Sequence, residues 1–72
     1  MDPVARFDKW MEGALKGEQY IYWCGSLSDA QSKHQPARDI ARRVRGSYEL
    51  GNVTLVQRKF APYGFEYIAV RL

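Results

Sequence analysis

The chain holds one cysteine, Cys24, and one histidine, His34, in 72 residues. A single cysteine cannot close an internal disulfide, which agrees with a reducing compartment. No second cysteine or nearby histidine offers it a metal set or a nucleophile's base, so Cys24 reads as a small buried hydrophobe. A glycine loop of the kind that cradles phosphates is missing, as is any cluster of convergent titratable groups, so neither an enzyme nor a cofactor is expected. Long apolar runs are missing as well. The longest stretch without a charge runs from Gln19 to Ser28, too short to span a bilayer and lacking the flanks of a signal peptide. The expected location is therefore cytoplasmic. No repeat, low-complexity tract or linker divides residues 1–72, and that length makes one domain near the lower limit for a core held by hydrophobic burial alone.

What is present is apolar and aromatic: 46% of residues are hydrophobic and 14% aromatic, the composition of a packed globule. The net charge of +3 is unevenly spread. Residues 1–35 carry four Lys or Arg against five Asp or Glu, residues 36–59 carry six against two, and residues 60–72 carry one of each. The cationic excess thus gathers in one segment, as a nucleic-acid-binding face requires.

Asp2 before Pro3 is a helix start, and Val4, Phe7, Trp10, Met11, Ala14 and Leu15 follow at helical spacing, predicting a helix over Pro3–Lys16 stopped by Gly17. Gln19–Cys24 is β-branched and aromatic and predicts a strand apolar on both faces. Its rings either fill the core or stay partly exposed, where they can stack bases or meet a partner. Ser28 with Gln31 has the form of a capping box for a short helix to Lys33. Lys33, His34 and Gln35 form the connection, with His34 a solvent-facing turn residue or a phosphate contact.

Pro36 opens a longer helix that ends before Gly51. Ala37, Ile40, Ala41, Val44 and Tyr48 form its apolar stripe, and Arg38, Arg42 and Arg45 fall on the other side with Arg43 beside them. Such a stripe is either a solvated face paired with Asp39 and Glu49 or a binding face. Alternation then predicts strands over Asn52–Phe60 and Phe65–Leu72. Ala61, Pro62, Tyr63 and Gly64 have the chemistry of a tight turn, with proline pre-setting one dihedral and glycine supplying positive φ. Arg58 and Lys59 sit near its tip, where they either protect an edge or touch a partner.

The order helix, strand, helix, helix, strand, strand, with PARDIARRVRGSYELG running into NVTLVQRKF and FEYIAVRL, resembles a winged-helix domain: an α+β fold of three helices and a small three-stranded antiparallel sheet. The chain also resembles short proteins encoded by tailed phages and prophages of Gram-negative bacteria, which implies a bacterial host cell. The winged-helix resemblance implies double-stranded DNA as partner. The helix at 36–50 then enters the major groove, with Gln35, Arg38, Arg42 and Arg45 at base edges. Lys33, Arg43, Arg58 and Lys59 hold phosphates, the hairpin tip at 58–65 lying on the backbone. A transcriptional regulator acting as a homodimer on paired half-sites follows. Small size, a short hairpin tip and the rings of Tyr20, Tyr22, Trp23 and Tyr63 carry the alternative, a phage-encoded protein-binding module that modulates host RNA polymerase or another regulator.

Overall fold

Asp2 caps the first helix as its sequence requires: Oδ1 accepts the Ala5 N–H at 2.8 Å, with Pro3 in the first turn. In the computed structural model, which describes residues 2–62 and 64–72, the elements are α1 (Pro3–Gly13), β1 (Gln19–Cys24), α2 (Leu27–Lys33), α3 (Gln35–Glu49), β2 (Val53–Ala61) and β3 (Gly64–Arg71). Three helices and a three-stranded antiparallel sheet therefore follow in the expected order.

Helix α1 stops at Gly13, three residues before the expected end. Ala14 is already extended, and Leu15 is 71% exposed, so a further turn would bury nothing apolar. Gly17, at φ +90°, instead turns the chain into the sheet. Its N–H donates to the Arg71 carbonyl at 2.7 Å, while the Arg71 N–H donates to the Glu18 carbonyl at 2.9 Å. Helix α2 starts earlier than expected, and its cap is Ser26, not Ser28. Ser26 Oγ accepts the Asp29 N–H at 3.5 Å, and the shift places Leu27 in the first turn, where it is buried. Only His34, exposed as expected, separates α2 from α3, so Lys33 and Gln35 belong to helices and not to the connection.

Along α3 the buried positions are Ala37, Ile40, Val44 and Ser47. Tyr48, expected in this stripe, is half exposed, because Ser47 repeats Ile40 after two turns while Tyr48 lies about 100° further round the helix. Gly51, at φ +79°, closes the helix, where L side chains are disfavoured.

The strand order is β1-β3-β2. Val53, Leu55, Gln57 and Lys59 of β2 share one face with Phe65, Tyr67, Ala69 and Arg71 of β3, and this inner face meets the helices. The register shifts at Tyr22 in β1, as in a β-bulge. As a result Tyr20, Tyr22 and Trp23 all pack against the core cluster of Phe7, Ile40, Val44, Val53 and Ala69. Trp10 stacks on Tyr20 with ring centroids 5.3 Å apart. Each large side chain fully buried in this way, Phe7 and Ile40 among them, contributes roughly 1.5–3 kcal/mol. Cys24 is not buried: it stands opposite Glu66 on the outer face and is exposed.

The hairpin strands run Val53–Ala61 and Gly64–Arg71, each displaced one residue from expectation, with Ala61 paired to Gly64. At Gly64 the lack of a side chain serves space, since a Cβ there would come within 2.9 Å of the Phe60 ring that lies over it. The positive φ expected of Gly64 involves Tyr63. Tyr63 lies outside the described residues.

Candidate nucleic-acid interface

A helix turning about 100° per residue places Arg38, Arg42 and Arg45 in one sector roughly 60° wide, away from the buried stripe, and swings Arg43 to the opposite flank. That sector forms one wall of a groove of about 690 Å³. Ala41 and Tyr48 of α3, Leu27 and Gln31 of α2, Tyr22 of β1 and Thr54 and Leu55 of β2 line the rest. No acidic residue lines it, and a wall of cations without acids favours anions.

The three arginines are held differently. Arg38 Nη1 donates to the Gln31 carbonyl at 2.8 Å and its Nη2 to Gln35 Oε1 at 2.7 Å. Gln35 Nε2 in turn donates to Asp39 Oδ1 at 2.7 Å. This chain of bonds fixes the Arg38 guanidinium across the α2–α3 junction and leaves donors unused, since the group has five. Arg42 and Arg45 are exposed and make no side-chain hydrogen bond or ion pair among the described residues.

The other expected cations are not gathered here. Arg43 Nε lies 2.7 Å from Asp8 Oδ1, close but not aligned as a hydrogen bond, and its guanidinium sits 5.4 Å from the centre of the Phe7 ring. It therefore secures α3 to α1. Both members of the pair are more than a third exposed, so the ion pair itself contributes less than about 1 kcal/mol. Arg58 places Nε and Nη2 2.8 and 2.6 Å from Glu66 Oε1, on the outer face of the sheet. Lys33 and Lys59 are exposed and outside the groove lining.

Of the expected aromatic set, Tyr20 is committed to Trp10 and Phe7 and Trp23 to the core. Among the described members of the set, Tyr22 alone lines the groove. Burial pushes its hydroxyl above the ordinary value of 10.0, and neighbouring Tyr67 adds to the rise. Tyr67 itself accepts the Leu27 N–H at 3.3 Å, tying the start of α2 to the sheet. Leu27, Leu55 and Tyr48 join the site unforeseen. Alternation places Leu55 on the same face as Val53, but only the fold turns that face toward the helices.

No helix among the described residues is long and apolar enough to cross a membrane, and no group of three His, Cys, Asp or Glu residues among them could hold a metal ion. No family model, curated protein or solved structure matches the chain.

Proposed function

We propose that the chain is a winged-helix DNA-binding transcriptional regulator of the bacterial cytoplasm, with α3 the element presented to the major groove. One observation carries this reading: three arginines share a single acid-free groove wall, and two of them, Arg42 and Arg45, have no intramolecular partner among the described residues. Unengaged guanidinium forks suit the paired acceptors of guanine. Arg38, already oriented by Gln31 and Gln35, suits a fixed phosphate contact, and both ends of the Gln35 amide are engaged, Oε1 by Arg38 and Nε2 by Asp39. Lys33 and Lys59 supply further backbone contacts. Arg43 and Arg58, each beside a carboxylate, leave the expected contact set.

A duplex site selected from a random pool provides the test, with affinity read by fluorescence anisotropy. Arg42→Ala should lose about 1–3 kcal/mol of binding and relax the preference at one base pair. Arg43→Ala, one residue away on the other flank, should bind nearly as the parent does. Equal affinities for all three proteins would sink the proposal. The competing reading, a phage-encoded module for host RNA polymerase or another regulator, draws on the groove's floor, where Leu27, Ala41 and Leu55 are apolar. A partner retained from bacterial lysate after nuclease treatment, and lost on Leu55→Lys, would favour it.

A further inference from the structure

The face of the sheet turned away from the helices is apolar where a water-facing antiparallel sheet is usually polar. Ile21, Ile68 and Val56 form one row across the three strands, from the pairings Ile21↔Ile68 and Val56↔Ile68. Ile68 at the centre is 2% exposed, but Ile21 and Val56 beside it are 43% and 46% exposed, and Phe60 is 58% exposed. Between this row and Phe60 lies the next pairing, Arg58↔Glu66. That ion pair is half used. Both short contacts from Arg58 go to Glu66 Oε1, so Oε2 and the Nη1 end of the guanidinium have no partner among the described residues.

We propose that this outer face is where a second copy of the chain docks, sheet against sheet. An apolar field of zero net charge, carrying one unengaged acceptor and one unengaged donor, complements itself: Arg58 of one copy can serve Glu66 of the other, and the reverse. A two-fold contact of this kind makes each such patch both sides of one interface. Two twisted sheets packing about 10 Å apart would cover Ile21, Val56 and Phe60 on both copies. A strongly acidic or basic partner would find no matching charge there. The helices and the arginine groove lie on the opposite side of the sheet, so the inference stands independently of the DNA reading.

Charge reversal with mixing is the decisive experiment, read by sedimentation equilibrium over a concentration series. The parent chain should move from 8.3 kDa toward twice that mass. Arg58→Glu makes the face doubly acidic and Glu66→Arg makes it doubly basic. Each alone should weaken self-association at least about tenfold, because like charges are brought together across the contact. Mixing the two variants in equal amounts should restore the dimer, an outcome that an intramolecular role for the pair cannot produce. Val56→Lys touches neither charge and keeps the test in force if a charge variant unfolds; it should remain monomeric. A parent chain that stays monomeric, which leaves the face to a different partner, overturns the proposal. So does a parent dimer unaffected by Val56→Lys, or a mixture of folded charge variants that does not recover.

Discussion

Arg42 and Arg43 are adjacent and chemically identical, yet one faces solvent at the groove while the other sits beside Asp8 and over Phe7. Helical rotation makes that difference, and the Arg38, Arg42, Arg45 stripe was legible in the sequence for the same reason. The captures of Arg43 by Asp8 and Arg58 by Glu66 were not legible, since each partner comes from a different element. Ser47 is a further residue whose environment only the fold reveals: it is fully buried and its hydroxyl has no partner among the described residues. An unpaired hydroxyl is costly and alanine is the better helix former, so Ser47→Ala should raise stability by about 1 kcal/mol. Urea unfolding measures this, and a lowered midpoint would reveal a partner for the hydroxyl. Tyr22 predicts a pH effect. Its folded pKa lies above the ordinary 10.0, so below that value the hydroxyl is neutral in both states and its contribution to stability is fully present. As pH rises past 10.0 the unfolded chain ionises first and the contribution is lost. Tyr22→Phe should therefore flatten the fall in Tm above pH 10.0; an unchanged fall would assign it to other groups.

At the scale of elements, periodicity found α1, α3, β2 and β3, because long amphipathic segments impose their own period, whereas β1 was read from its β-branched and aromatic residues and α2 from capping chemistry. The ends were less legible, being set by contacts distant in sequence. Arg71 and Glu18 tie the chain after α1 to the sheet, and burial of Leu27 draws the start of α2 back to Ser26. The hairpin shows the same limit. Glycine at 64 was legible as a turn residue, but the Phe60 ring that covers it was not, since that contact forms across the hairpin. Gly64→Ala should force the exposed Phe60 ring aside at a cost of about 1 kcal/mol or less, against which alanine's lower backbone entropy cost works. In a Phe60→Ala background that cost should vanish. A double-mutant cycle reads the coupling, expected at about 0.5–1 kcal/mol, and zero coupling would mean that the ring does not cover Gly64 in solution.

Across the whole molecule, charge and apolar surface are segregated. The groove gathers Arg38, Arg42 and Arg45 without an acid on one side of the sheet, while the other side exposes Ile21, Val56 and Phe60 around a neutral pair. Sequence alone located the cationic excess in residues 36–59. It could not divide those six cations into three along one groove wall, two beside carboxylates and one outside the lining, a division that rests on tertiary placement. A groove that recognises a polyanion must bind duplex DNA in a salt-dependent way. The logarithm of the binding constant should fall linearly with the logarithm of salt concentration, with a slope of about 0.9 per phosphate neutralised. Replacing Arg38, Arg42 and Arg45 together by alanine should weaken binding and make that slope shallower. Affinity that ignores salt, or a slope that survives loss of all three arginines, would mean that the groove is not where a polyanion binds.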